Sequence, residues 1–196
     1  MNFEGAKNYI VAKLEKELDP RLTYHSLSHT VDVLESAVRL AEMENLDGAE
    51  IILLKTACLY HDSGMLVTYK GHEDESIAIC TETLPKFEYT NDEITAICRM
   101  IKTTKLPQCA SKLPDKILCD ADLDYLGRKD FFMIAHRLKY EWDMLNIHPT
   151  TLFEWYSIQK DFLVSHKYFT KSARELRQEM KLENLRQIEF MCAHEK

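Results

Sequence analysis

Residues 56–65 have the sequence TACLYHDSGM, in which an apolar run ends in an adjacent histidine and aspartate and then a glycine. Residues 49–62 are strongly apolar with few charges, which predicts a central buried helix that delivers His61 and Asp62 to its end. Consecutive side chains on a helix point about 100° apart, so they share a metal ion most easily where the helix ends. Gly64 is expected to provide that ending. By itself, the pair also fits a buried hydrogen-bonded pair or a surface pair at a helix C-terminus.

The composition of the 196-residue chain favours a single helical domain over residues 1–196. Five glycines and five prolines are few for this length, and we expect an all-α bundle of about eight to ten helices. The formal charge of −7 argues against binding to a nucleic acid duplex. The six cysteines contain no CxxC pair and are expected to be reduced core residues. No leader peptide and no membrane-spanning run is evident, so we expect a cytoplasmic protein that has no membrane partner.

Apolar residues at helical spacing, together with capping and proline signals, predict most of the helices. The metal-site core is expected over about 20–130, with C-terminal helices from 131–196 packing on it. The predicted helices lie at about 3–18, 49–62, 72–84, 91–101, 129–145, 150–165 and 168–192, with another directly after His29.

Two histidines, His25 and His29, lie just before the helix that is predicted after residue 29. His25 and His29 are four residues apart, so both would lie on one face of a helical turn. The spacing alone is a weak metal signal, because one capping or core histidine and one solvated histidine would give the same pattern.

An acidic run follows the apolar residues 117–119. Asp120, Asp122 and Asp124 alternate in an apolar setting, where unpaired carboxylates are costly, so a cation should compensate them. A metal ion would do so, and so would Arg128 or Lys129.

The ordered set of His, His-Asp and Asp resembles the HD-domain superfamily of metal-dependent phosphohydrolases. The resemblance is carried by YHSLSHTVDV at 24–33, LYHDSG at 59–64 and ADL at 121–123. The first segment is also similar to the YHNxxHxxDV opening of cyclic nucleotide phosphodiesterases. The resemblance spans about residues 20–130 and implies an HD-type fold.

The resemblance implies that His29, His61, Asp62 and Asp122 bind one divalent cation, which would be Mn²⁺, Fe²⁺, Ni²⁺, Co²⁺ or Mg²⁺. Asp120 and Asp124 are rival candidates for the last ligand. Alternatively, each would contact a ligand without binding the ion, or would be an acidic residue at the start of a helix. The resemblance assigns catalytic roles to Asp62, which would also orient the attacking water, and to His25, which would protonate the leaving oxygen.

Substrate contacts are predicted for His72, Lys102, Lys105 and Arg128. His72 would contact substrate or a second ion, or would be a histidine in the first turn of an acidic helix. Lys102 and Lys105 would bind phosphate oxygens. Alternatively, they are present only because lysine is favoured near a helix C-terminus. His166 would line the pocket mouth or lie in the core or at the surface, and His136, His148 and His194 are expected to be structural or solvated.

The predicted function is hydrolysis of a phosphate ester of a nucleotide or a related small compound by metal-activated water. The alternative is a non-catalytic HD domain that binds a nucleotide as a sensor or scaffold. An HD-fold di-iron oxygenase is a third hypothesis, which would need more histidine ligands than the sequence assigns. The expected partner is a small phosphate ester, and a homodimer is left open.

Overall fold

The computed structural model describes residues 1–193, which form nine α-helices and three short 3₁₀ segments. The helices are α1 (Phe3–Glu17), α2 (Leu27–Met43), α3 (Gly48–Tyr60), α4 (His72–Thr83), α5 (Asn91–Thr104), α6 (Leu113–Asp122), α7 (Phe131–Met144), α8 (Leu152–Ser165) and α9 (Lys171–Ala193). The 3₁₀ segments are Ser63–Leu66, Leu84–Phe87 and Asp124–Gly127. These residues contain no strand, so the all-α prediction is confirmed. His194 lies outside the described residues.

The larger apolar core lies among the first six helices, and α3 occupies its centre. Helix α3 packs against α1, α2, α4, α5 and α6. Leu54 on α3, Ile10 on α1, Leu40 on α2 and Ile97 on α5 are completely buried in this core. The second half of α3, residues 56–60, is buried on all sides, which explains why it contains no charged residue. Among the described residues, no helix combines the length and the apolar character needed to cross a membrane.

A second, smaller core joins the C-terminal helices to the segment before α2. Phe131 on α7, Trp155 on α8 and Ile188 on α9 are buried in it, beside Tyr24. Helix α9 packs against α8 and against the 3₁₀ segment that follows α6. Gly127 permits this approach, because a Cβ atom there would overlap the carbonyl group of Arg177 on α9. The C-terminal helices therefore pack next to the end of α6.

Two local expectations need correction. Helix α3 ends at Tyr60, before Gly64, and the chain then turns into a 3₁₀ segment. Gly64 is needed instead for close packing, since a Cβ atom there would overlap the backbone carbonyl of His72. Helix α2 begins after the N-cap residue Ser26, so His25 precedes the helix and does not share a helical face with His29.

Candidate active site

Three potential metal ligands from separate helices meet in the space beside α3. His29 lies in the first turns of α2, His61 directly follows α3, and Asp122 is the last residue of α6. Their ligand atoms all lie within 4.8 Å of one another. Nε2 of His29 lies 3.4 Å from Nε2 of His61 and 3.2 Å from Oδ1 of Asp122. The fold therefore brings together residues that are up to 93 positions apart in sequence.

Asp62 adjoins this cluster. Its Oδ2 atom lies 3.1 Å from Nε2 of His61 and 3.4 Å from Nε2 of His29. The same oxygen is buried and accepts no hydrogen bond from the described residues. A buried carboxylate oxygen without a partner is costly, and a cation between these atoms would remove that cost.

The tautomer of His61 is set by the backbone. Its Nδ1 atom lies 2.8 Å from the carbonyl oxygen of Cys58, which can only accept, so Nδ1 carries the proton. In the neutral ring the lone pair is then on Nε2, which faces the other ligands, as is usual for a histidine that binds a metal. The two imidazoles and two carboxylates of His29, His61, Asp62 and Asp122 fit a divalent ion, and this donor set is compatible with all five predicted metals.

The carboxylates give the cluster a negative potential. Burial lowers the pKa of His61, but the neighbouring charges of Asp62 and Asp122 outweigh it and raise that pKa well above its usual value. Burial raises the pKa of Asp122, but the hydrogen bonds and charges of His29 and His61 together lower it by more, so the pKa is about 2. A site that favours a proton on a buried imidazole in this way also favours a metal cation.

His25 is held by a buried glutamate from α7. Oε1 of Glu141 lies 2.5 Å from Nδ1 of His25 and accepts a hydrogen bond of 2.8 Å from the Tyr69 hydroxyl. Oε2 accepts the backbone N–H groups of Tyr24 and His25, at 2.9 Å and 3.0 Å. Burial raises the pKa of Glu141, but the hydrogen bonds from His25, Tyr69 and the Tyr24 backbone, together with the charge of His25, outweigh it, so the net shift is downward. The carboxylate thus fixes the ring with its Nε2 atom away from Glu141.

Sequence analysis did not find Glu141, Tyr69 or Trp142. The Trp142 indole donates to the Tyr69 hydroxyl at 2.9 Å and completes the network around the glutamate. Glu141 is completely buried, although its helix shows a mixed pattern with other charged residues nearby. No motif distinguishes it from a solvated glutamate, so only the tertiary contact identifies it.

His72 contacts the other carboxylate oxygen of Asp62. It is the first residue of α4, its Nδ1 atom donates to the Tyr69 carbonyl at 3.0 Å, and its Nε2 atom lies 3.2 Å from Oδ1 of Asp62. Burial lowers the pKa of His72, but the hydrogen bond to Asp62 and the charges of Asp62 and Glu73 together outweigh it and raise the pKa overall. The ring centres of His72 and His25 are 5.5 Å apart, so the two imidazoles flank the same space.

A cleft of about 250 Å³ opens above this group. Its polar floor includes His25, Asp62, His72 and Asp122. Most of its wall is apolar or aromatic and comes from the ends of α5 and α6, the turn after α6, and α7 and α8. The apolar and aromatic lining residues are Tyr24, Tyr69, Leu106, Leu123, Tyr125, Leu138, Trp142, Ile158 and Phe162. A concave apolar pocket above a few converging polar groups is the usual form of a small-molecule site.

Comparison with known families agrees with this geometry. The HD-CE family model matches residues 19–99, which include His29 and the His61-Asp62 pair. The match covers less than half of the 196 residues. The resemblance to the HD-domain superfamily predicted from the three short motifs is confirmed.

Solved structures share the fold over nearly the whole chain. A predicted HD superfamily hydrolase from an uncultured Thermotogales bacterium has 20% identity and a TM-score of 0.61, over 97% of this chain and 91% of the other. YpgQ of Bacillus subtilis in complex with ADP has 20% identity and a TM-score of 0.66, over 97% of each chain. A second YpgQ structure has a TM-score of 0.64 over 99% of each chain. A search of curated proteins gave no significant match.

The three predicted phosphate-binding cations lie outside the cleft. Lys102 is exposed on α5, and the Lys105 ammonium forms an exposed ion pair with Asp74 at 2.9 Å. The Arg128 guanidinium binds Asp32 at 2.7 Å and Asp130 at 2.7 Å, on the other side of His29. The geometry gives these three residues no contact with the space above the metal ligands, whereas it places His72 there.

Asp120 and Asp124 have partners that keep them away from the candidate metal ligands. Asp120 accepts the backbone N–H groups of Phe169 and Thr170, both at 2.7 Å, before α9 begins. Asp124 accepts hydrogen bonds from Arg177 on α9, at 2.7 Å and 2.9 Å. Of the three alternating aspartates, Asp122 is the one that meets His29 and His61.

His166 follows α8 and packs between the Phe162 and Tyr168 rings. Both ring nitrogens are buried without hydrogen-bond partners among the described residues, and burial lowers the pKa of His166 to about 3. It is not among the residues that line the cleft. The placement favours the structural alternative for this histidine.

Proposed function

We propose that this protein is a metal-dependent phosphohydrolase that acts on a small phosphate ester of the nucleotide class. The observation that carries the proposal is the convergence of His29, His61, Asp62 and Asp122 at the floor of a cleft, beside a histidine bound to a buried glutamate. A divalent ion held by the four ligands would activate water and neutralise charge on the phosphoryl oxygens.

The protein's own groups then have defined tasks. Asp62, whose Oδ2 atom has no hydrogen-bond donor, is available to orient the attacking water. The water oxygen forms a bond to phosphorus, the phosphorus–oxygen bond of the ester breaks, and the products are an alcohol and a phosphate. With Nδ1 of His25 directed at Glu141, the ring presents Nε2–H to the cleft and gives that proton to the leaving oxygen. The proton released by the water returns to solvent.

The cleft excludes bulk water around the reacting group. Apolar side chains such as Leu123, Leu138 and Phe162 form the wall opposite the polar floor. Electrostatic interactions are stronger in such a site than in water, which favours hydrolysis by a positioned water.

Elemental analysis and turnover, measured together, test the proposal. Untagged wild-type protein, His61→Ala and Asp122→Ala would be dialysed against Mn²⁺ and assayed for metal content and for hydrolysis of nucleotides and p-nitrophenyl phosphate. We expect about one metal per wild-type chain, little in either variant, and loss of at least about 100-fold in kcat in both. The exposed residue Asp92 provides a matched control, as Asp92→Ala. Unchanged turnover in His61→Ala would refute the proposal.

The alternative is a non-catalytic HD domain that binds a nucleotide as a sensor or scaffold. The observation that favours it is the fold shared with YpgQ, which has been solved in complex with ADP. A sensor has no need for four intact metal ligands or for the His25–Glu141 pair. Tight nucleotide binding without turnover, under each of the five divalent ions, would support the sensor and exclude the hydrolase.

A further inference from the structure

Two cysteines meet across the interface between α4 and α5, which pack against each other. Cys80 on α4 is completely buried, whereas Cys98 on α5 is partly exposed. The two thiols are hydrogen-bonded to each other, so their side chains point toward one another across the interface. Neighbouring sulfur atoms are the first requirement for a disulfide, in which they approach to about 2 Å. Both cysteines are free in the structure.

The other four cysteines lie on different elements. Cys58 on α3 and Cys119 on α6 are buried, and the Cys119 thiol donates to the backbone carbonyl of Thr103 at 3.2 Å. Cys109 lies exposed in the loop after α5, and Cys192 lies near the end of α9. The pair between α4 and α5 differs from them in joining an accessible thiol to a buried one.

The surroundings favour a thiolate on the accessible member of the pair. The Cys80 thiol donates to the Cys98 sulfur and lowers the pKa of Cys98 to about 7, although burial opposes this shift. The Thr81 hydroxyl lies 3.9 Å from the same sulfur and also lowers that pKa. Burial raises the pKa of Cys80, which therefore keeps its proton. Since the thiolate is the reactive form of cysteine, Cys98 is the member that meets an external reagent first.

We propose that Cys80 and Cys98 form an oxidation site, at which a hydroperoxide converts the two thiols into a disulfide between α4 and α5. The Cys98 thiolate attacks the terminal oxygen of the hydroperoxide, the oxygen–oxygen bond breaks, and Cys98 becomes a sulfenic acid. The Cys80 sulfur then attacks the Cys98 sulfur, and the sulfur–oxygen bond breaks. The hydroxide released takes up the Cys80 proton and leaves as water. The two thiols lose two electrons, which reduce the hydroperoxide to an alcohol, or to water when it is hydrogen peroxide.

The disulfide would join two helices that border the cleft. His72 and Glu73 in the first turn of α4 line the cleft, as does Thr104 at the end of α5. Cys80 lies about two turns after His72, and Cys98 lies about two turns before Thr104. Neither helix supplies a candidate metal ligand, so the inference does not depend on the proposed hydrolysis.

Oxidation followed by peptide mapping tests the proposal. Reduced wild-type protein would be treated with an equimolar amount of hydrogen peroxide near neutral pH, blocked with iodoacetamide and digested with trypsin without reduction. Cleavage after Lys70, Lys86 and Arg99 places Cys80 and Cys98 in separate peptides, 71–86 and 87–99. We expect the main oxidation product to be these two peptides joined through their cysteines. Absence of the joined peptides, or equal joining of either one to the peptide of exposed Cys109, would overturn the proposal.

Single variants test the roles of the two thiols. In Cys80→Ala the sulfenic acid of Cys98 has no partner thiol, so we expect dimedone to trap at least about threefold more of it than in the wild type. In Cys98→Ala we expect Cys80 to stay reduced, because it is buried. Cys109→Ala is the matched control and should leave the yield of disulfide unchanged. Equal trapping in Cys80→Ala and wild type, or oxidation of Cys80 in Cys98→Ala, would overturn the assigned roles.

Thermal unfolding of the three variants would show that they fold. The peptide map of the wild-type protein requires no substitution, so it decides the proposal even where a variant is unstable. A map in which Cys98 carries a sulfinic acid while Cys80 remains alkylated by iodoacetamide would also overturn it, because the second thiol would then have failed to react.

Discussion

Nδ1 of His25 lies 2.5 Å from Oε1 of Glu141, although 116 residues separate the two in sequence. The histidine precedes α2, in the segment matched by the HD-CE family model, whereas the glutamate lies on α7, beyond that match. The C-terminal helices therefore orient a residue of the candidate active site in addition to packing on the HD core. Histidines with catalytic or ligand roles commonly depend on such a carboxylate for their orientation and tautomer.

Glu141→Gln should lower kcat without removing the metal. The amide keeps an acceptor for the backbone N–H groups but loses the charge that opposes the His25 ring, so we expect about a 10- to 100-fold fall in kcat and little change in KM. The pH dependence of kcat should also shift, because the charge next to His25 has changed. Glu179→Gln, at an exposed position of α9, is the control. Loss of bound metal, or unchanged kcat and pH profile, would contradict a positioning role.

Asparagine substitutions at Asp120 and Asp122 should affect different properties. Asp120→Asn should lower the free energy of unfolding, and Asp122→Asn should lower the metal content. In Asp120→Asn one oxygen that accepts from Phe169 or Thr170 becomes an NH₂ group facing a donor, so we expect a loss of about 2 kcal/mol in the free energy of unfolding and normal metal content. Asp122→Asn should lose metal with a smaller effect on the unfolding of the metal-free protein. Urea unfolding and elemental analysis of both variants make the comparison. Metal loss in Asp120→Asn alone would reverse the assignment.

The sequence predicted the helices and the residues that converge beside α3 more completely than the lining of the cleft. Helical periodicity and capping signals are local, so they place α3 and α5 well, and the HD motifs are short and contiguous. The alternation of Asp120, Asp122 and Asp124 left the last ligand open, because their partners lie on α2, on α9 and in the segment just before α9, far away in the sequence. Glu141 could not be found in this way, since a glutamate on an amphipathic helix gives no sign that its carboxylate is buried against His25.

Cys98 should be the reactive thiol in the interface between α4 and α5. A hydrogen bond with the Cys80 thiol lowers the pKa of Cys98 to about 7, and the pKa of buried Cys80 is raised. Alkylation of Cys98 by iodoacetamide should therefore be half-maximal near pH 7. In Cys80→Ala that midpoint should rise by about one unit. Mass spectrometry of the digested protein measures both, with exposed Cys109 as the internal reference whose rate should be the same in both proteins.

Lys181 on α9 should make stability increase with pH above neutrality. Its ammonium group donates to the carbonyl of His166 and lies 5.7 Å from the centre of the Tyr168 ring, and the residue is only 4% exposed. Burial lowers its pKa from 10.5 to about 8. Between these two values the unfolded chain holds the proton and the folded chain does not, so raising the pH through this range favours the folded state.

The Lys181 prediction is tested by comparing wild type with Lys181→Met, in which the charge is absent at every pH. Urea unfolding of both proteins at pH 7, 8.5 and 10 gives the difference in their free energies of unfolding, from which the titration of all other groups cancels. We expect that difference to move in favour of the wild type by about 1 to 2 kcal/mol from pH 7 to pH 10, less than the full shift because the carbonyl of His166 partly stabilises the ammonium in the folded protein. A difference that stays constant would mean that the ammonium is as well solvated in the folded protein as in the unfolded chain. Movement in the opposite direction would mean that the His166 carbonyl and the Tyr168 ring stabilise the charge more than burial opposes it.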